Sequence, residues 1–337
     1  MSGEAAVSTP GKTILFGEHA AVYGHAALVT ALNHRMTVTA RTPADLENGA
    51  LRLVIPALGI ARTIERPPAV DRVNAAGDLA VLAVTIGAAD PDRRRAGLEV
   101  RIDSTIPPGS GFGSSAALAV AVVAACRRAM DDDIPLDEIG RLAASVERHQ
   151  HGNASGVDVQ AVLRGGVLWC RRRDDATLEC ESLPVVDARL DAFRLYHSGT
   201  PRETTGEMVA AVRRLLERDP ARVRDAFATI DAAARDGRDA LLRDDGAALI
   251  PIVRRAEASL EELGVVTGSV REAIRAIEAQ GGAAKVSGAG AATGTGAGLI
   301  LVVHPDPAWH ERFAIPEGWT AHRVRLAAAG LRSEIAA

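Results

Sequence analysis

In the first half of the chain apolar residues fall into short runs broken by turn residues; in the second half they recur at helical spacing. The runs KTILF (12–16), AALVTAL (26–32), RMTVTAR (35–41) and LRLVI (51–55) read as strands or short buried elements. ADLENG (44–49) and RPPAVDR (66–72) are polar or proline-rich and read as loops. LEVRID (98–103) alternates apolar and polar residues like a half-buried strand and leads directly into PPGSGFGSSAAL (107–118). The pattern then predicts a helix over 114–129. A second begins near Pro135, with Leu136, Ile139, Leu142, Ala143 and Val146 on one face.

After a turn, HGNASGVD (151–158), GGVLWCRR (165–172) reads as a strand, and ESLPVVDARLDA (181–192) as the junction between two halves. FRLYHSG (193–199) reads as another strand, followed by helices near 203–217, 221–243, 247–263 and 269–280. AAKVSG (283–288), LILVV (299–303) and HRVRLA (322–327) close the chain as strands. Strands mixed with helices without a regular βαβ repeat indicate an α+β fold, not a doubly wound sheet.

Composition narrows the picture. With 337 residues, 47% of them apolar, the chain can build two domains around ample cores. Aromatics are only 3%, so those cores rest on Ala, Val, Leu and Ile. A net charge of −4 gives no reason to expect nucleic acid. Three cysteines without CxxC spacing argue against a disulfide framework or zinc site and fit a reducing cytoplasm. No signal peptide is indicated, and the longest apolar run, Ala116 to Cys126, is too short to span a bilayer. The expected location is the cytoplasm, with no membrane partner.

Four stretches carry residues suited to chemistry. In PPGSGFGSSAAL three glycines let a ligand approach the main chain, and Ser114 and Ser115 stand where a helix starts, a place that favours phosphate. Neither the Walker A spacing nor GxGxxG is present, so a capped strand-to-helix turn is the alternative. In PGKTILFGEHAAVYG (10–24), Lys12 opens an apolar run and needs an anionic partner if buried, while Glu18 and His19 follow Gly17 in a turn. Glu147 lies about 20° round the helix from Leu136, on the apolar face. A salt bridge, a cap or Mg2+ could satisfy it there. Asp158 sits in a loop rich in small residues, and KVSGAGAATGTGAG (285–298) is a glycine-rich connection between strands.

PGKTILFGEHAAVYGHAAL, PPGSGFGSSAAL and KVSGAG, in that order, resemble the three signature motifs of the GHMP kinases. HGNASGVD after a helix carrying Glu147 resembles the branch of that family acting on mevalonate. The resemblance implies a ribosomal-protein-S5-domain-2-like domain over 1–182 and a ferredoxin-like domain over 190–337. It implies ATP and mevalonate as substrates, with phosphomevalonate, homoserine or a sugar as alternative acceptors, and a non-catalytic ligand sensor as the rival reading. A homodimer is compatible with it.

By the same resemblance Pro108, Gly109, Ser110, Gly111, Phe112, Gly113, Ser114 and Ser115 wrap the ATP phosphates, and Ser115 and Glu147 hold Mg2+. Asp158 serves as base or electrostatic partner of the attacking hydroxyl, with Lys12 beside it. Glu18, His19, Thr204, Gly288 and Ala289 face the acceptor. Arg148, His149 and Arg202 are the cations that could meet a second acceptor phosphate. The chain departs from the family pattern at AATGTG, at Ala154 in place of proline, and at Phe112 in place of leucine.

Overall fold

The computed structural model describes residues 3–67, 70–72, 79–87, 97–107, 109, 111–151, 155–173, 177–185, 190 and 192–334. The larger sheet contains β1 (Glu4–Phe16), β2 (Ala26–Arg41), β3 (Leu51–Ile55), β4 (Ile60–Ile64), β5 (Leu98–Ser104), β6 (Val167–Arg172) and β7 (Leu178–Leu183). The smaller one contains β8 (Phe193–His197), β9 (Ala283–Ser287), β10 (Leu299–Val303) and β11 (Thr320–His322). The last strand, β12 (Arg332–Glu334), returns to the larger sheet and pairs with β1. The larger sheet runs β12-β1-β2-β5-β3-β4, with β6 on the first part of β2 and β7 beyond it; among the described residues only β3 and β5 pair in parallel. The smaller sheet is antiparallel, in the order β11-β8-β10-β9. The mixture is α+β.

Helices α1 (Leu79–Gly87), α2 (Ser114–Ala129), α3 (Leu136–His151) and α4 (Val157–Arg164) come from the first half. From the second come α5 (Thr205–Arg218), α6 (Pro220–Arg243), α7 (Leu249–Glu262), α8 (Gly268–Ala279) and the one-turn α9 (Trp309–Arg312). Alanine and valine fill α2 from Ala116 to Cys126 except at Leu118, and nearly all of them are buried, so this helix lies inside the core with no polar face. Helix α6 bridges the halves: Asp231 accepts a hydrogen bond from the Ala26 N–H at 2.8 Å. Gly237 lets it press on β1, since a Cβ there would lie 2.5 Å from the Phe16 ring. Among the described residues no helix is long and apolar enough to cross a membrane.

Several elements differ from the hydrophobic pattern for local reasons. The polar residues between AALVTAL and RMTVTAR suggest a break, yet β2 runs through them. The Asn33 side chain accepts from the Arg325 N–H at 2.7 Å, and Arg35 donates to the carbonyls of Ser8 and Gly330. These polar residues mark where the end of the chain crosses the strand. Helix α4 hides in the sequence because Val157, Val159 and Ala161 alternate as in a strand. In HRVRLA only His322 belongs to a strand. Helix α1 and strand β7 have no counterpart in the pattern read above.

The cysteine spacing argues against a disulfide; the structure contains one. Cys170 and Cys180 lie opposite each other across the β6–β7 hairpin and are bonded, while Cys126 is free and buried. A separation of ten residues is that of facing hairpin positions, a signal invisible until the register is known. Closing a loop of this size stabilises by about 3 kcal/mol in the chain-entropy account. Cys180→Ser is therefore expected to lower Tm by several degrees, and non-reducing peptide mapping of the parent should recover the cross-linked pair. Unlinked peptides with an unchanged Tm would contradict this.

Candidate active site

Strand β1 departs from regular pairing between Pro10, opposite Arg35, and Lys12, opposite Ala31. Such an irregularity re-aims the side chain that follows it. The Lys12 N–H donates to the Phe112 carbonyl at 2.8 Å, fastening the strand to the glycine loop. The Lys12 side chain, 6% exposed, then crosses Gly113 and places Nζ 2.8 Å from Asp158 Oδ2. Gly113 permits the crossing. It has φ +75°, and a Cβ there would lie 2.7 Å from Lys12 Cγ. Gly113 also caps α2, so the first-turn N–H groups and the positive end of a long buried helix open beside the lysine. Asp158 stands in the first turn of α4.

These groups line one side of a cavity of about 450 Å³, together with Gly109, Gly111, Ser114, Ser115 and Glu147. Glu18, His19, Thr204, Gly288 and Ala289 line it as well, so the structure brings both sets of expected residues together. Phe112 is an exception. Its ring is buried away from the cavity, edge-on to His322 at 4.9 Å. Pro108 and Ser110 lie outside the described residues, as does Ala154. Of the three cations offered for a second phosphate, Arg202 lines the cavity, whereas Arg148 and His149 are exposed elsewhere.

Glu147 is buried on α3. Burial, and then the charge of Asp158, push its pKa well above the ordinary carboxylate range, against a smaller opposing pull from Lys12 and Arg148. A further cation beside it would relieve both causes, and the serine hydroxyl with one carboxylate is a donor set suited to Mg2+ that is otherwise held by phosphates. Because the folded value is raised, ionising Glu147 destabilises the ligand-free fold as pH rises from the unfolded to the folded value. Glu147→Gln is therefore expected to raise the ligand-free Tm at pH 8, with the gain shrinking toward pH 5. The Tm increase produced by Mg2+-ATP should be smaller in the variant. A variant less stable at pH 8, or one with the parental response to Mg2+-ATP, would contradict this.

On the opposite wall His19 has φ +58°, and its Nε2 lies 3.0 Å from the Ala289 carbonyl. A carbonyl only accepts, so Nε2 carries the proton; burial lowers the pKa of the ring and favours this neutral form. The Thr204 hydroxyl donates to Glu207 Oε2 at 2.9 Å and accepts from the Glu207 N–H, capping α5. The motif reading above passes over Lys285, Ser287 and Glu257. All three are buried, and Lys285 pairs with Glu18. A lysine inside the apolar strand AAKVS is the signal that could have found this pair, because such a charge requires a partner.

A glycine loop closing on a buried helix N-terminus beside a lysine–aspartate pair on one cavity wall is an arrangement suited to phosphoryl transfer, and by homology the chain is an ATP-dependent small-molecule kinase. The chain belongs to the GHMP kinase family: residues 78–166 match the family model described as the GHMP kinases N terminal domain, and homology extends over most of the chain. Mevalonate kinases are among its relatives in that family. The mevalonate kinase of Archaeoglobus fulgidus is 34% identical over 84% of this chain and 88% of its own length. That of Methanothermobacter thermautotrophicus is 30% identical over 97% of this chain and 99% of its own. The crystal structure of Methanococcus jannaschii mevalonate kinase shares the fold, with a TM-score of 0.74 at 20% identity, covering 95% of this chain and 98% of that one.

Proposed function

We propose that the enzyme transfers the γ-phosphoryl group of ATP to the primary hydroxyl of mevalonate, giving 5-phosphomevalonate and ADP. The observation that carries this reading is the Lys12–Asp158 pair at 2.8 Å, set in the cavity beside the N-terminus of α2. The full-length similarity to mevalonate kinases supports the choice of acceptor. Phosphoryl transfer needs in-line positioning and charge neutralisation more than covalent help from the protein.

In this mechanism the loop from Pro108 to Ser115 and the first turn of α2 hold the phosphates. Asp158 orients the attacking hydroxyl and receives its proton, while the Lys12 ammonium stabilises the oxygen as negative charge builds on it. Ser115 and Glu147 would hold Mg2+, which would offset charge on the β- and γ-phosphates. Glu18 and His19, with Gly288, Ala289 and Thr204, face the acceptor. The working division is a domain over 1–182 and another over 190–337, with the reaction taking place where their residues meet.

The test is ADP release by the purified protein with Mg2+-ATP and, in separate reactions, mevalonate, phosphomevalonate, homoserine and galactose. Turnover with mevalonate alone is expected. Turnover with phosphomevalonate instead would reassign Arg202 to a second phosphate, and ATP binding without turnover on any acceptor would make the protein a sensor.

A further inference from the structure

Strand β9 and the loop after it hold β1 and the turn that follows it through Lys285, Ser287 and the Ala289 carbonyl. Lys285 Nζ is hydrogen-bonded to Glu18 Oε1. Ser287 Oγ lies 2.8 Å from Thr13 Oγ1, accepts from the Ile14 N–H at 3.1 Å and donates to the Ile14 carbonyl at 2.8 Å. The Ala289 carbonyl takes the His19 ring. The spacing follows from strand geometry: Lys285 and Ser287 are two apart and project from the same face. In the sequence this segment is a glycine-rich connection between strands; in the structure Lys285 and the Ala289 carbonyl engage the turn carrying Glu18 and His19, and Ser287 engages β1.

Lys285 is fully buried and gives its second hydrogen bond to the Val286 carbonyl at 2.9 Å. Glu18 lines the cavity, but only Oε1 is engaged. Oε2 is buried without a hydrogen-bond partner among the described residues. A second carboxyl, Glu257 of α7, also faces Lys285. It accepts from the Val286 N–H at 2.9 Å, and burial pushes its pKa up to about 8, against smaller opposing pulls from that N–H and from Lys285. Burial raises the pKa of Glu18 above the ordinary carboxylate value, and Lys285 first and then Lys12 of β1 oppose that rise. A buried ion pair is poor evidence of added stability, because desolvation offsets the attraction. A pair at a cavity wall with one carboxylate oxygen still unsatisfied has a more direct use.

We propose that Lys285 is a positioning residue for the acceptor: it holds one oxygen of Glu18 so that the other receives a hydrogen bond from the substrate hydroxyl. The proposal rests on the kinase reading above. Lys285 does not touch substrate, so its effect passes entirely through Glu18.

The test compares the parent, Lys285→Met, Glu18→Gln and the double variant, using the acceptor that the parent turns over. KM for acceptor and for ATP, kcat and the pH profile are measured for each. Lys285→Met is expected to raise the acceptor KM about tenfold, the scale of one hydrogen bond to a charged group, while the ATP KM stays within about twofold. The acid limb of kcat/KM for acceptor should move to higher pH, because Glu18 without its ammonium partner keeps its proton longer. Glu18→Gln should show the same KM defect, and the double variant should match it.

A Lys285→Met variant with a lowered Tm but the parental acceptor KM and pH limb would overturn the proposal. So would Glu18→Gln with the parental acceptor KM. If Lys285→Met alone does not fold, the double variant, which carries no lone buried charge at this pair, is read against Glu18→Gln. Equal raised acceptor KM values support the proposal, and a further loss in the double variant overturns it. A parent that turns over no acceptor fails the kinase reading and this proposal with it, an outcome distinct from a defect confined to the variants.

Discussion

Asp158→Asn should lower kcat about a thousandfold, while the Tm of the ligand-free protein changes by only a few degrees. The amide keeps the size of the carboxylate and can still accept from Lys12, but it cannot receive the proton of the attacking hydroxyl. Asp158 is partly exposed at the cavity, and the amide oxygen still accepts from the buried Lys12 ammonium, which limits the fall in Tm. Lys12→Met should cost about a hundredfold in kcat, the scale of removing one preorganised stabiliser of developing charge. The double variant should fall far short of the product of the two losses, since the residues act as a unit. Steady-state ADP release and thermal unfolding check all three. Near-parental turnover in Asp158→Asn would remove this pair from the chemistry.

The second large effect is expected at a position with no functional group. Gly113→Ala introduces a Cβ 2.7 Å from Lys12 Cγ at a residue with φ +75°. The left-handed conformation alone costs an alanine about 1 kcal/mol. The greater consequence is geometric: either Lys12 leaves Asp158, or the loop rotates and carries the first turn of α2 with it. A displacement of about 1 Å at a reacting centre is enough for a hundredfold loss. kcat/KM for ATP should drop by about that factor with only a modest fall in Tm. An unchanged kcat/KM would mean that the loop and lysine move independently, against the contact between Lys12 N–H and the Phe112 carbonyl.

Much of this arrangement is legible in the sequence because particular residues are out of place in their local pattern. Lys12 interrupts an apolar strand, Glu147 occupies the apolar face of a helix, and three glycines precede a run of alanines; each demands a partner that the chain must supply. Lys285 obeys the same logic inside AAKVS, but glycines on its C-terminal side draw the eye to the loop instead. Register stays hidden. The sequence cannot place Cys170 opposite Cys180, because that depends on the β6–β7 hairpin turning between them. Nor does it reveal that residues 325–330 lie against β2 and satisfy Asn33 and Arg35, whose polarity imitates a turn. Helix α4 is obscured by its own composition, since apolar residues at alternate positions serve a strand as well as one short buried helix.

The central claim is transfer of phosphate to a primary hydroxyl of mevalonate, and the most direct test is the 31P spectrum of the product formed from mevalonate and Mg2+-ATP. The account predicts one new phosphomonoester resonance, split into a triplet by the two protons of a single CH2–O group, growing in step with ADP. A new ester resonance without proton splitting would place phosphate on the tertiary hydroxyl. Inorganic phosphate alone would show transfer to water. Either result would contradict the assignment of Asp158 and Lys12 to a bound primary alcohol.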